Sequence, residues 1–408
     1  MKNKIIYLLI ILSVFLIPRM TFAATKVEVN TIDELRNAIE STENNEIILK
    51  NDIEVVYDST LEDEDNFLMV KVGNHTLDLN NHNITTSSIS TTDYGLITVI
   101  DGSLTITGNG KVSARNVVLS AVSGTLTING GEYISGNGTV TDNVLVLYSG
   151  KVIVNNAKFT GETYSEGPQG VEPTPGPNTH SPILRSNENA TVRINRNNIS
   201  KKLKDPLNTI PELTINDGTF NSSTYISNTN MTINGGTFNG NNAIEVTGNS
   251  KLTVNEATIS GEHTGLMVNN TSGNPDVELN GGTYSCTDCG QQSGSTQGAL
   301  SVFSYDEQQD GKEVLNSLLG DKAQIDDDTV IEESFTNIGN TTSYYYHTNN
   351  LVKVTTPVAQ NTSNNNSNKV NKESDVTNPD TNDNILLSIL MLITSLSVIL
   401  VSAKKINN

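Results

Sequence analysis

The sequence predicts an all-β solenoid in which each coil contributes three short strands. A segment of the type Met231–Phe238 occurs nine times, with aliphatic residues at its first and third positions. Asn stands at the fourth position in eight copies, and a large apolar or aromatic residue stands at the eighth position in eight. Self-similarity of this kind, with successive starts 18 to 40 residues apart, is typical of stacked coils.

The repeated segment also predicts where its side chains point. Alternate residues of a strand share a face, so the first and third positions should face the core. We expect the fourth position to form an internal ladder of side-chain amides between coils, which satisfies buried polar groups. The copies start at Leu77, Leu104, Leu126, Val152, Val192, Leu213, Met231, Leu252 and Val277. The ladder residues are Asn80, Asn129, Asn155, Asn195, Asn216, Asn234, Asn255 and Asn280.

The rest of each coil fits strands better than helices. A short apolar strand such as 144–147 or 243–246 precedes the repeated segment, and Gly-Gly pairs such as 130–131 permit the tight turn that follows it. Crossover residues with helical period are not visible between the strands, which argues against βαβ units. The Pro- and Gly-rich stretch 162–181 cannot continue a ladder and is predicted to project as a surface loop.

The ends of the solenoid need covers, since they expose apolar side chains and strand edges. Residues 24–50 are predicted to be the N-terminal cap, because Thr31 and Glu34 form a capping box before a short amphipathic helix. The coils should occupy 51–310. A C-terminal cap is expected over 311–355, with a helical turn at 314–319 and closing strands at 344–346 and 351–354.

Both termini resemble export and anchoring signals. Residues 1–23 have a basic start, an apolar run and a small-residue cleavage site, as a signal peptide does. Residues 356–377 have linker composition and are expected to be disordered. The apolar run 385–403 can just span a bilayer, and Lys404 and Lys405 would hold its end inside.

The repeated units and the opening segment Leu77–Thr85 resemble the right-handed parallel β-helix of the pectate-lyase-like superfamily. That opening segment is similar to the start of many Gram-positive surface β-helix proteins. The resemblance covers about residues 25–310 and implies a right-handed single-stranded helix of three-strand coils. It implies little about activity, because the superfamily contains lyases, hydrolases and non-enzymatic adhesins.

A second resemblance concerns the segment before the apolar run. Asn378, Pro379, Asp380, Thr381 and Asn382 are similar to a minority form of the cell-wall sorting signal that a sortase recognises. The resemblance implies cleavage between Thr381 and Asn382 and attachment of Thr381 to peptidoglycan. The alternative is a plain membrane anchor whose linker happens to read this way.

The sequence gives little indication of catalysis. The net charge of −20 argues against a nucleic-acid partner, because phosphate contacts need Lys and Arg. Neither clustered acids with a partner Arg nor the motifs of β-helix galacturonases are present. The five histidines are scattered, which favours surface or turn roles over catalysis. No catalytic residue, metal ligand or cofactor is therefore predicted, and Asp326–Asp328 is interpreted as an acidic turn rather than a calcium site.

The two cysteines, Cys286 and Cys289, have the spacing of a redox motif. In an exported chain we expect a local disulfide; free thiols and a shared metal site are the alternatives.

Taken together, these features predict an exported protein attached to the cell surface by its C-terminus, through the wall or the membrane. We expect a non-enzymatic adhesin or ligand-display scaffold with a host, matrix or glycan ligand. A cell-attached polysaccharide lyase or glycoside hydrolase is one alternative, and a structural wall spacer is another.

Overall fold

The computed structural model describes residues 24–58, 60, 66–86, 95–114, 117–136, 144–161, 184–186, 210–271, 273–289, 298–304, 308–326, 329–338 and 341–356. Within these ranges the chain is a parallel β-helix, as predicted. Its coils have three faces, which we name after their place in the repeat. The predicted loop 162–181, the linker and both terminal signals lie outside the described residues.

The repeat face carries the repeated segment and is a parallel sheet of ten strands. Neighbouring strands come from successive coils, so the first and third positions of the segment stack in columns. Leu126, for example, pairs with Leu104 on one side and Val152 on the other. The strands are β1 (Thr25–Val29), β2 (Asn45–Leu49), β5 (Asn74–Asp78), β8 (Ser103–Thr107), β11 (Thr125–Ile128), β14 (Lys151–Val154), β17 (Glu212–Ile215), β20 (Asn230–Ile233), β22 (Lys251–Val254) and β24 (Asp276–Leu279).

The aromatic face follows the repeat face in each coil. Its inward column contains the eighth position of the repeat, and Tyr133, Phe159, Phe220, Phe238 and Tyr284 are fully buried there. The strands are β3 (Ile53–Glu54), β6 (Ile84–Thr85), β9 (Lys111–Ala114), β12 (Glu132–Ser135), β15 (Lys158–Gly161), β18 (Thr219–Asn221), the first parts of β21 (Thr237–Thr247) and β23 (Thr258–Asn269), and β25 (Gly282–Cys286).

The leading face precedes the repeat face. Since β21 and β23 continue from the aromatic face into the leading face, these two faces belong to one hydrogen-bonded sheet. The strands are β4 (Leu68–Val70), β7 (Ile97–Val99), β10 (Leu119–Ala121), β13 (Leu145–Leu147), β16 (Leu184–Ser186), β19 (Thr224–Ser227), the second parts of β21 and β23, and β26 (Leu300–Ser304).

The N-terminal end is covered by the predicted helix, α1 (Ile32–Ile39). Thr31 is its N-cap and accepts a hydrogen bond from the Glu34 N–H, while Glu34 accepts one from the Asn30 N–H. Leu35 and Ile39 are buried, so the apolar stripe read from the sequence is the stripe that packs on the core. The capping-helix prediction is confirmed.

The C-terminal end is covered on all three faces. β29 (Thr341–Thr348) and β30 (Leu351–Thr355) pair antiparallel with β26 and β25, the last strands of the leading and aromatic faces. The repeat face ends at Leu279, whose N–H donates to the Leu318 carbonyl and whose carbonyl accepts from the Gly320 N–H. The remaining cap elements are α2 (Gly311–Asn316), β27 (Gln324–Ile325) and β28 (Ile331–Ile338).

The coil that carries the first copy of the repeat, on β5, corrects the predicted alignment and is called the first coil below. Leu77 does not occupy the first position, because it pairs with Ile106, and His75 pairs with Leu104. His75 is therefore a buried core residue rather than a surface or turn residue. Its Nδ1 accepts from the Asn45 N–H, and its Nε2 lies 3.0 Å from the Val72 carbonyl oxygen.

Candidate functional site

A ladder of asparagine side chains runs along the turn between the repeat face and the aromatic face. Each donor is the Nδ2 of one coil and each acceptor is the Oδ1 of the coil before it. The bonds are Asn155 to Asn129 (2.7 Å), Asn216 to Asn155 (2.6 Å), Asn234 to Asn216 (2.7 Å), Asn255 to Asn234 (2.7 Å) and Asn280 to Asn255 (3.1 Å).

The ladder is on the surface, so the expectation of an internal ladder is wrong in location. Asn129, Asn155, Asn216, Asn234 and Asn255 are all exposed, and Asn280 is half-buried. The physical reason lies in the alternation of the strand: the third position points inward, so the fourth points outward.

Two predicted members do not join the described ladder. The register of the first coil places Asp78 opposite Thr107, so Asn80 lies two residues beyond the column. Asn80 has a positive φ of 48°, and its Nδ2 donates to the Leu49 carbonyl at 2.9 Å. Asn195 lies outside the described residues, and its predicted place between Asn155 and Asn216 is wrong, because Asn216 bonds directly to Asn155 and β14 pairs directly with β17.

The ladder leaves hydrogen-bonding capacity free. A primary amide has two N–H donors and two acceptor lone pairs, and an interior member of the ladder uses one of each. Counting the bonds to described residues, each such coil therefore presents one unused N–H and one unused lone pair to solvent. These repeat along the helix at the strand spacing of about 4.8 Å.

A polar groove of about 600 Å³ follows the same turns across the first coils. Glycines form its floor: a Cβ added to Gly130 would lie 2.8 Å from the Gly108 carbonyl oxygen, and Gly131 has a φ of +89°. The Tyr133 hydroxyl reaches from the core to donate to the Gly130 carbonyl at 3.0 Å, and burial raises the pKa of that phenol. The side chains along the groove include Asn83, Lys111, Asn129, Glu132 and Lys158.

The charges of the groove differ from those of the chain. Lys111, Glu132 and Lys158 are in register on three successive strands. Lys158 Nζ and Glu132 Oε1 are 2.6 Å apart, and Lys111 forms no ion pair within the described ranges. This row therefore carries one excess positive charge in a chain whose net charge is −20.

A second outward ladder was not predicted. On the aromatic face, Asn239 Nδ2 donates to Asn221 Oδ1 at 3.2 Å, and Asn221 Nδ2 lies 3.5 Å from Thr160 Oγ1. Ser285 Oγ donates to Ser260 Oγ at 3.0 Å further along the same row. The signal was available in the sequence, since these polar residues stand one position after the inward column.

The predicted cysteine pair and the described histidines lie in separate parts of the structure. Cys286 and Cys289 form a disulfide at the end of β25, with 5.6 Å between their Cα atoms. His82 lies beside Asp52 near the N-terminal end, whereas His263 and His347 are buried in later parts of the chain. No three His, Cys, Asp or Glu side chains among the described residues are placed to hold a metal ion.

The anchoring motif lies outside what the structure describes, and so does the apolar run after it. In the described part of the chain, no helix is both long enough and apolar enough to cross a bilayer.

Fold and surface together define a capped parallel β-helix with an exposed amide ladder beside a glycine-floored polar groove. Comparisons with protein-family models, curated proteins and solved structures found no match to the chain.

Proposed function

We propose that this chain is a non-enzymatic, cell-surface-anchored β-helix protein that binds an extended glycan along its amide ladder and groove. The ladder carries the proposal, because it offers one donor and one acceptor per coil at a constant interval. Sugar hydroxyls are both donors and acceptors, and a linear glycan advances per sugar by a distance close to the coil spacing.

An extended peptide fits the ladder less well. Its residues advance by about 3.3 Å each, so its groups drift out of step with coils about 4.8 Å apart. Lys111 favours a glycan that carries carboxylate or sulfate groups, because a lysine that has no ion-pair partner among the described residues attracts anions within a Debye length of the groove. The absence of tryptophan leaves hydrogen bonding, rather than stacking on indole rings, as the main source of affinity.

Glycan arrays probed with the full chain test this function. We expect binding to acidic linear glycans, and Lys111→Ala should weaken it by roughly ten- to a hundredfold, since a hydrogen bond to a charged group contributes about 1.5–3 kcal/mol. Lys251→Ala is the matched control, because Lys251 is an exposed lysine of the repeat face that is paired with Asp276 at 3.4 Å.

Three other outcomes would reject this function. Release of unsaturated or reducing ends from the glycans would identify a polysaccharide lyase or hydrolase. Binding to matrix proteins but to no glycan would keep an adhesin and reject the glycan ligand. Failure to bind either would leave a structural wall spacer.

Attachment to the cell envelope is the second part of the proposal, and the sequence alone supports it. A cleavable leader at 1–23, the Asn378–Asn382 motif, the apolar run 385–403 and the terminal lysines stand in the order that sortase substrates have. Sortase and peptidoglycan are the partners that this order implies.

A further inference from the structure

Three asparagines of the ladder precede glycine: Asn129, Asn234 and Asn280. We propose that Asn129 is a site of spontaneous modification, at which the side-chain amide is converted to aspartate and isoaspartate, and that the ladder protects Asn234 and Asn280 from the same change. This inference concerns the chemistry of the ladder and does not depend on a glycan ligand.

The reaction needs only water. The backbone nitrogen of Gly130 attacks the Asn129 side-chain carbon, so a new N–C bond closes a five-membered succinimide ring. The bond from that carbon to Nδ2 breaks, and the nitrogen leaves as ammonia with the proton of the Gly130 N–H. Water then adds to either ring carbonyl and opens the ring to aspartate or isoaspartate, with no oxidation or reduction.

The chain contains an internal comparison for this reaction. Residues 127–131 and 232–236 have the same sequence, Thr-Ile-Asn-Gly-Gly. Both asparagines are exposed, and neither the Gly130 nor the Gly235 N–H is used in a hydrogen bond among the described residues. Local sequence and the state of the attacking nitrogen therefore do not distinguish the two sites.

Their positions in the ladder do distinguish them. Asn129 is the first member, so its Oδ1 accepts from Asn155 while its Nδ2 donates to no described residue. Asn234 is an interior member: its Oδ1 accepts from Asn255, and its Nδ2 is held by Asn216 at 2.7 Å. Asn280 is the last member, and its Nδ2 donates to both Asn255 and Glu278.

These contacts act on the transition state in opposite directions. A donor to Oδ1 stabilises the negative charge that develops on that oxygen during attack. An acceptor that holds Nδ2 fixes the amide plane and must be given up when the nitrogen leaves. Asn129 has the donor to Oδ1 but no described acceptor for Nδ2, and Asn234 has both. Asn280 has two acceptors for Nδ2. The expected order of rates is Asn129, then Asn234, then Asn280.

The product would alter the groove. Asn129 lies on its wall with Lys111, Glu132 and Lys158, so aspartate there adds a negative charge and cancels the local excess of positive charge. The carboxylate can still accept the hydrogen bond from Asn155, so the ladder itself tolerates the change.

Peptide mapping by mass spectrometry of the full chain, incubated at mildly alkaline pH, tests the inference. We expect Asn129 to be converted roughly two- to tenfold faster than Asn234, the range that the net contribution of one hydrogen bond sets. In urea the two rates should become equal, because the sequences are identical. A ratio that persists in urea, or equal rates in the folded chain, would overturn the inference.

A variant supplies an independent measurement. Asn216→Ala removes the acceptor of Asn234 Nδ2 and leaves the donor from Asn255, which gives Asn234 the same contacts as Asn129. The rate at Asn234 should then rise to that at Asn129, while Asn129 itself is unchanged. An unchanged rate at Asn234 in the folded variant would show that the ladder does not control the reaction.

Discussion

At the scale of single residues, the buried column of the aromatic face holds successive coils together. Ring centroids are 5.2 Å apart between Tyr133 and Phe159, 4.8 Å between Phe159 and Phe220, and 4.6 Å between Phe220 and Phe238. The rings are nearly parallel because the strands that carry them are in register. Each ring therefore fills the space between its neighbours, and a gap at one coil removes contacts from the coils on both sides.

Phe238→Ala should destabilise the fold by about 3–5 kcal/mol, because it removes a fully buried ring and leaves a cavity. The free energy of unfolding in urea measures the effect. Thr232→Ala is the control, since Thr232 points outward on β20, the strand that precedes Phe238 in the same coil. Its effect on the free energy of unfolding should stay within about 0.5 kcal/mol. Equal losses in the two variants would show that the column is not the main source of cohesion.

At the scale of elements, the N-terminal cap depends on a charged contact. The Asn30 N–H donates to the Glu34 carboxylate at 2.7 Å and holds the pKa of that carboxyl below its ordinary value of 4.5. Because the folded-state pKa is lowered, the Glu34 carboxylate contributes its full stability above pH 4.5. That contribution is lost as the pH falls through the folded-state pKa.

The capping contact therefore predicts a pH-dependent difference between the wild-type chain and Glu34→Gln. The wild type should be more stable at neutral pH, and the difference should shrink once the pH falls below 4.5. Thermal unfolding of both proteins over this range measures it. A difference that stays constant with pH would contradict a role for the carboxylate charge.

The C-terminal cap should control association, because it covers the last strand edges. Val352 is buried on β30 opposite Tyr284, whereas its neighbour Lys353 is exposed. Val352→Asp should detach β30 and expose the edge of β25, and exposed parallel edges pair with other chains. Light scattering should show oligomers for Val352→Asp and monomers for Lys353→Asp. Monomers in both cases would mean that the edge is protected in another way.

At the scale of the whole molecule, the proposed attachment makes a prediction about where the chain is found. Thr381→Ala removes the residue that a sortase would join to peptidoglycan. The variant should move from the covalently bound wall fraction to the membrane fraction or the medium, as blots of fractionated cells would show. Ser388→Ala, in the apolar run, is the control. Covalent retention of Thr381→Ala in the wall would reject the sorting assignment.

The sequence by itself determined the coil. Inward side chains of successive coils stack in one column, so each inward position accepts only apolar side chains of similar size and shape. The repeat can therefore be recognised in the sequence. Leu126, Ile128 and Tyr133 could be assigned to the core for that reason, and the cap at Thr31 could be read because its hydrogen bonds lie within one helical turn.

Only the tertiary structure decided how the first coil aligns and where the polar ladder lies. Extra turn residues Asn80 and Asn81, both with positive φ, let Leu77 pair with Ile106 and place His75 in the core. The groove and the row of Lys111, Glu132 and Lys158 join residues of different coils. Such contacts depend on which residues pair between strands of different coils. Because the coils differ in length, the spacing of residues along the sequence does not give that register.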